Sequence, residues 1–230
     1  MSKSILFAVL CIVSAFAAAA QPELTEQEQR WLKAAAPLLA YAKQIRLPVD
    51  IVVQPQASAD DVPLAMGFDG SRCKLVFSLR GNAQAEEVLN TVPLEQRALL
   101  IETMAAHEMG HCWRYAQGDW HVLPTGFVEV GDEPAANPAL RGESRAMRQA
   151  RREEGFSDLV ALAWVQLRHP AQYAQVYAWL DQVRAQPSAG GSHDTLAWIR
   201  LAKSGADFQP GAAPFEQARR LWSRGLSAID

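Results

Sequence analysis

The chain has 230 residues, of which 49% are hydrophobic and 20% are charged, and its formal net charge is −3. This length and apolar content allow one good hydrophobic core, so we expect one domain. The mild acidity gives no reason to expect nucleic acid as a partner. Beyond the first residues, no stretch of the sequence is apolar over enough length to span a membrane.

The chain begins with MSKSILFAVLCIVSAFAAAAQPE, which has one lysine, an apolar run and a small-residue end. This pattern predicts a secretory signal peptide over residues 1–20, cleaved after Ala20. The apolar part is too short, and its end too rich in alanine, for a membrane anchor. We therefore expect a periplasmic or secreted protein, without a stable membrane span after cleavage, whose mature domain covers residues 21–230.

The first elements of the mature chain are predicted to be a helix and a strand. Residues 24–45 have a helical pattern, with Thr25 and Glu28 placed as a capping box and Pro37 as a kink. The apolar run VDIVVQ that follows, residues 49–54, is typical of a strand.

A hairpin is predicted next. Two apolar runs, residues 63–68 and 73–80, flank Asp69-Gly70, a dipeptide that favours a tight turn between antiparallel strands. The second run directly precedes the next helix in chain order. Its position in the sheet, at an edge or in the centre, stays open at this point.

The stretch TMAAHEMGHCWRYA, residues 103–116, lies in a helical pattern that runs from Pro93 until Gly118 ends it. His107 and His111 are four residues apart and so share one helix face. Two neutral imidazoles that converge provide half of a tetrahedral zinc site, and Glu108 between them can act on a water at the metal. The alternative is two histidines on a helix surface without a metal.

Cys73 and Cys112 are the two cysteines that remain after signal cleavage. An even pair in an oxidising compartment predicts a disulfide. That bond would join the HExxH helix to the strand region before it. Two separate buried thiols are the alternative.

A segment rich in glycine and proline, residues 118–138, precedes a long helical pattern that contains Glu154-Gly155-Phe156-Ser157-Asp158. The apolar run LVALAWVQL follows at once, so Glu154 and Asp158 lie where this helix enters the core. Buried carboxylates are unfavourable unless they are paired or bind a metal. Acidic residues favoured near a helix N-terminus are the alternative interpretation.

The HExxH motif followed by ExxxD resembles the gluzincin branch of the zincin metallopeptidases. The metzincin branch is disfavoured, because His121 comes ten residues after His111, whereas that branch has its third histidine six residues after the second. The resemblance implies that His107, His111 and Glu154 are zinc ligands. It also implies that Asp158 contacts the ring of the first histidine, His107, and orients it. Glu153 is the neighbouring alternative ligand, and His121 is a substitute.

His193, in AGGSHDTLAW, follows a glycine-rich stretch and precedes a helical pattern. The arrangement resembles the position at which several gluzincins keep a third active-site histidine, which faces the oxyanion and is not a ligand. A helix-capping turn, with Asp194 or Thr195 as the cap, is the alternative.

Arginines 141, 145, 148 and 152 form a stripe on one face of the helix that carries Glu154. A solvated face is the favoured interpretation, and a site for phosphate or anionic lipid is the alternative. The seven tryptophans are expected in the core.

The expected fold is α+β: a small, mainly antiparallel sheet followed by a mostly helical subdomain, with a zincin-like arrangement implied by the resemblance. The expected function is zinc-dependent hydrolysis of a peptide or protein substrate, with Glu108 as general base and His193 stabilising the oxyanion. A non-catalytic zincin-like protein-binding module and a zinc amidase acting on cell-wall peptides are the alternatives. The sequence leaves the oligomeric state open.

Overall fold

The structure is a computed structural model of the chain, and it describes residues 23–58, 61–127, 138–186 and 191–229. The predicted signal peptide, residues 1–20, lies outside the described residues. The same holds for residues 128–137 of the predicted loop and for the side chain of Arg141. None of the helices in the described ranges is both long enough and apolar enough to cross a bilayer.

The architecture is α+β, with a small sheet followed by a mostly helical remainder, as predicted. The helices are α1 (Glu26–Gln44), α2 (Gln84–Glu87), α3 (Arg97–Ala116), α4 (Pro138–Arg168), α5 (Tyr173–Arg184), α6 (Leu196–Ile199) and α7 (Pro214–Ile229). The strands are β1 (Val49–Val53), β2 (Leu64–Asp69) and β3 (Arg72–Phe77). Short 3₁₀ turns cover Val88–Thr91, Leu94–Gln96, Pro170–Gln172, Arg200–Ala202 and Gly205–Asp207.

Helix α1 begins with the predicted capping box. The Thr25 hydroxyl accepts the Glu28 backbone N–H at 3.2 Å, and the Glu28 carboxylate accepts the Thr25 N–H at 2.6 Å. Arg80, which follows β3, donates to the same carboxylate at 2.8 Å. The cap therefore also ties the start of α1 to the end of the sheet, and the helix continues past Pro37.

The sheet is mixed, with the order β1-β3-β2. β2 and β3 form the predicted antiparallel hairpin, and Gly70 supplies the positive φ of 60° that the turn requires. β1 pairs with β3 in parallel, so the prediction of a mainly antiparallel sheet is wrong. Because β1 lies beside β3 and not beside its neighbour in sequence, β3 is the central strand and β2 is an edge.

The core lies where the sheet, α1 and α4 pack around α3. Trp31, Trp164, Trp198 and Trp222 are almost completely buried, as expected for core tryptophans. The other three, Trp113, Trp120 and Trp179, are only partly buried, so the prediction does not hold for them. Arg152 is also buried, so the face of α4 that carries the arginine stripe is not solvated throughout.

Helices α3 and α4 pack closely together at Gly110. A Cβ atom added there would lie 2.7 Å from Ser157 Oγ and 2.8 Å from Ser157 Cα. A methyl group does not fit at these distances, so glycine at this position permits the contact. The close approach brings the HExxH segment of α3 against the ExxSD segment of α4.

A disulfide joins Cys73 of β3 to Cys112 of α3, with a Cα–Cα distance of 5.6 Å. Both cysteines are completely buried. The bond links the central strand to the helix residue directly after His111.

Loss of the disulfide should lower the free energy of unfolding by about 4 kcal/mol, because it closes a loop with a sequence separation of 39. Cys73→Ala, Cys112→Ala and the double variant should be compared by urea unfolding. Since either single change removes the same bond, the double variant should lose little more than each single variant. Two additive losses, or alkylation of both thiols in the folded protein before reduction, would contradict the bond.

Gly110→Ala should destabilise the protein by about 1–3 kcal/mol, because the new methyl group forces α3 away from α4. We expect it to weaken zinc binding as well, since the predicted ligands His107, His111 and Glu154 lie on these two helices. Gly67→Ala in β2 is the matched control, as a Cβ there meets no atom closer than 3.8 Å. Equal effects of the two changes on unfolding and on zinc affinity would refute this account of the packing.

Candidate metal centre

Three predicted ligand residues converge where α3 meets α4. The Nε2 atoms of His107 and His111 lie 3.2 Å apart. Glu154 places one carboxylate oxygen 3.1 Å from the His107 Nε2 atom and the other 3.5 Å from the His111 Nε2 atom. Within the described residues, these three form the group of His, Cys, Asp and Glu side chains that is close enough to hold a metal ion.

The spacing of these atoms fits a zinc ion. Tetrahedral zinc with bonds of roughly 2.0–2.1 Å separates neighbouring ligand atoms by about 3.3 Å. The two Nε2 atoms are 3.2 Å apart, and Glu154 presents a different carboxylate oxygen to each of them, Oε2 at 3.1 Å from His107 and Oε1 at 3.5 Å from His111. Each of these pairs lies near the separation that zinc requires. Two imidazole nitrogens and one carboxylate also match the ligand types of catalytic zinc sites, which keep a fourth position for water or substrate.

The outward ring nitrogen of each histidine has its own partner on α4. His107 Nδ1 lies 2.9 Å from Asp158 Oδ1, and His111 Nδ1 lies 3.0 Å from Ser157 Oγ. Such contacts set the ring orientation and leave Nε2 for a metal. The contact of Asp158 is the one that the resemblance implied. The contact of Ser157 was not predicted, although Ser157 directly precedes Asp158 in the sequence.

Asp158 is completely buried and joins four elements. It accepts two hydrogen bonds from Arg184 of α5, at 2.9 and 2.8 Å, and one from Thr195 at 2.5 Å. Burial would raise the pKa of Asp158, but Arg184 and His107 hold that pKa well below its usual range. Sequence reasoning missed Arg184 and Thr195 because no local motif marks them.

Burial and the neighbouring charges both shift the pKa values of the three candidate ligand residues. Burial works to lower the pKa of His107, but Asp158 and Glu154 outweigh it and raise that pKa. Burial and the adjacent His107 lower the pKa of His111. Burial would raise the pKa of Glu154, yet His107 keeps it low. His107 thus lies between two carboxylates, Glu154 and Asp158, and both favour positive charge at this position.

Glu108 follows the first histidine and lies beside the three-residue cluster. Burial raises the pKa of Glu108 to about 7, while the charge of His107 and the Met66 backbone N–H act in the opposite direction. A carboxylate with a pKa near neutrality can both take up and release a proton. Met66 belongs to the edge strand β2, so this contact places the strand directly beside the cluster.

A cavity of about 270 Å³ opens beside Glu108. Its ionisable lining residues are His107, Glu108, Arg184 and His193. The rest of its lining is mainly apolar and includes residues of the segment before and at β2, of the 3₁₀ turn Val88–Thr91, of α3 and of α5. Its larger apolar side chains are Leu64, Val88, Met104, Trp179, Leu180 and Val183. The cavity can thus hold an apolar side chain next to Glu108.

His193 lies close to the cluster, since its Nε2 is 3.2 Å from the Glu154 carboxylate. Its side chain is 56% exposed, so it also reaches solvent at the mouth of the site. Thr195 makes no capping hydrogen bond to α6 and instead donates to Asp158. The alternative that assigned Thr195 a capping role is therefore not supported by the contacts.

Glu153 and His121, the alternative ligands, are engaged elsewhere. Glu153 is buried in an ion pair with Arg114, at 2.7 and 3.0 Å, and accepts the backbone N–H of His121 at 2.9 Å. The His121 ring lies against Trp120, with ring centroids 5.0 Å apart. Neither residue belongs to the cluster of His107, His111 and Glu154.

Comparison of the chain with protein-family models, with curated proteins and with solved structures found no match. The geometry of the site and its chemistry are therefore the basis for a function. They define an α+β protein with a candidate three-ligand metal centre beside an apolar cavity.

The two adjacent glutamates should separate metal binding from stability. Glu153→Gln should lower the free energy of unfolding by about 3 kcal/mol, because it leaves buried Arg114 without its counter-charge, and it should keep zinc. Glu154→Gln should lose most zinc affinity with a smaller effect on the metal-free fold. Chemical unfolding of the metal-free proteins and zinc titration measure the two effects. The reverse pattern would show that Glu153 is the ligand.

Proposed function

We propose that this protein is an exported zinc metallopeptidase of gluzincin type, which hydrolyses peptide bonds with Glu108 as general base. Glu108 lies beside three candidate ligand residues whose donor atoms are within 4.8 Å of one another, and it lines a mainly apolar cavity; this placement supports the proposal most directly. A zinc site that only supports structure is closed by four protein ligands and has no use for such a base.

His107, His111 and Glu154 would hold the zinc ion, and Asp158 and Ser157 fix the two imidazole rings from behind. When bound, zinc lowers the pKa of a coordinated water and polarises the carbonyl of the scissile bond. Arg184 offsets the charge of Asp158 and lies 3.9 Å from Glu154. The metal would thus be held by a site whose carboxylates are already oriented.

Glu108 would accept a proton from the attacking water and later pass it to the leaving amine. Its pKa of about 7, raised by burial, suits both transfers at neutral pH. His193 would donate a hydrogen bond to the developing oxyanion, because its Nε2 lies at the edge of the cluster and its side chain reaches the open side.

The edge strand β2 supports a peptide as the substrate. One side of β2 is paired with β3, and β2 also lies beside the cluster through the contact of Met66 with Glu108. An extended peptide can add to such an edge through backbone hydrogen bonds, with alternate side chains directed into pockets. The apolar cavity would take the side chain nearest to Glu108.

Export is supported by two independent features. The first 20 residues match a secretory signal, and the buried Cys73–Cys112 disulfide suits an oxidising compartment. We therefore place the proposed activity in the periplasm or outside the cell.

Glu108→Gln tests the mechanism, because it keeps the size and hydrogen bonding of the side chain but removes the base. We expect zinc content and fold to be retained and turnover to fall by at least about 10²-fold. Cleavage of a peptide library by the mature protein, followed by mass spectrometry, supplies both the substrate and the rate. Glu95→Gln, an exposed glutamate just before α3, is the matched control and should cleave at the parent rate.

Equal cleavage by the parent and by Glu108→Gln would refute the assignment of the base. Zinc binding by the parent without cleavage of any peptide would instead favour the non-catalytic protein-binding module.

A further inference from the structure

A group of aromatic rings lies beside His111 and does not belong to the lining of the cavity. Phe68 of β2 stacks on Tyr115 of α3, with ring centroids 4.1 Å apart, and contacts Trp120 at 5.0 Å. Trp120 lies edge-on to His111, with centroids 5.7 Å apart. Phe68, Tyr115 and Trp120 are each partly exposed. We refer to these three residues as the aromatic shelf.

A buried ion pair holds the backbone on both sides of Trp120. Arg114 Nη2 donates to the carbonyl oxygens of Asp119, at 2.6 Å, and Val122, at 2.8 Å. Its partner Glu153 accepts the backbone N–H of His121 at 2.9 Å. The side chains of Arg114 and Glu153 are each only 3% exposed. Two buried side chains therefore hold the three backbone groups on either side of Trp120.

The segment after α3 is held in an uncommon conformation. His121, directly after Trp120, has a φ of 60°, which residues other than glycine seldom adopt. The backbone N–H of the same residue donates to the buried carboxylate of Glu153, so this hydrogen bond holds the backbone where its φ is positive. Such conformations persist where the surroundings determine them, and they cluster at functional sites. Trp120 is thus a positioned side chain next to a metal ligand, not a loose surface residue.

Strand β2 connects the cavity to the aromatic shelf. Side chains alternate along a strand, so Leu64, Met66 and Phe68 share one face of the sheet. Leu64 lines the cavity, Met66 is beside Glu108, and Phe68 belongs to the shelf. The three positions span about 13 Å at roughly 3.3 Å per residue, which is the length of about four substrate residues.

The chemistry of Glu108 sets the direction of the substrate. Glu108 passes a proton to the leaving amine, so the residue that carries this amine lies at the end of the site where Glu108 and the cavity are. The residue on the carbonyl side of the scissile bond then lies towards His111 and Trp120.

We propose that the aromatic shelf is the specificity site for the substrate residue on the carbonyl side of the scissile bond, and that it selects an aromatic side chain there. This inference rests on the proposed peptidase function. Aromatic rings attract one another in stacked and edge-to-face arrangements beyond the effect of buried area, and the shelf offers three rings. Trp120 is the specificity-determining residue, and Arg114 and Glu153 act through it as positioning residues.

The test measures binding separately from cleavage. The zinc-loaded Glu108→Gln protein is used to retain peptides from a randomised library, and the cleavage sites of the parent define the position of each residue relative to the scissile bond. Adding Trp120→Ala should reduce the retention of peptides with Phe, Tyr or Trp on the carbonyl side about tenfold. The preference on the amine side and the zinc content should not change.

Two further variants control for general damage. Trp120→Phe keeps a ring and should restore most of the aromatic preference. Thr125→Ala changes an exposed side chain in the same segment and should bind peptides as well as the Glu108→Gln protein without a second change. Zinc content is measured for each variant.

A carbonyl-side preference that does not change in Trp120→Ala would overturn the inference. An equal loss for all peptides, or no peptide retained by the Glu108→Gln protein, would overturn it as well. Retention of aromatic peptides that depends on Trp120, without cleavage by the parent, would contradict the proposed function but support the shelf as a ring-binding site.

Discussion

The arrangement of the site depends on the close contact between α3 and α4 at Gly110 and Ser157. A Cβ atom at Gly110 would lie 2.8 Å from the Ser157 Cα, so glycine is what permits this separation of the helices. At that separation, His107 and His111 reach Glu154, and each ring also reaches an orienting side chain on α4. A wider spacing would break all of these contacts together, because the ligands are divided between the two helices.

Electrostatic balance is the second constraint. Several charged groups are buried around the cluster, and isolated buried charges are unfavourable. Asp158 is stabilised by Arg184, Thr195 and His107, which come from α5, the start of α6 and α3. The carboxylate that orients His107 therefore also holds α5 and the start of α6 against α4. Under the proposed function, a divalent cation would add positive charge beside the carboxylate of Glu154.

Glu153 and Glu154 are neighbours in sequence with different roles in the structure. Glu154 faces the two histidines, whereas Glu153 pairs with Arg114 and, with it, holds the segment that carries Trp120. One turn of α4 thus contributes both to the candidate metal centre and to the contacts that hold the Trp120 segment beside it. Buried ion pairs in general contribute little net stability. The Arg114–Glu153 pair has a further role here, because it fixes the backbone of the segment that carries Trp120.

The sequence by itself determined the local features: the capping box at Thr25, the hairpin at Asp69-Gly70, the shared helix face of His107 and His111, and the cysteine pair. These follow from backbone periodicity and turn chemistry, which act over a few residues. Only the tertiary structure decided the sheet order, the choice between Glu153 and Glu154, and the convergence of Ser157, Arg184 and Thr195. Adjacent residues lie about 100° apart around a helix, so which glutamate faces α3 depends on the rotation of α4, and long-range packing sets that rotation.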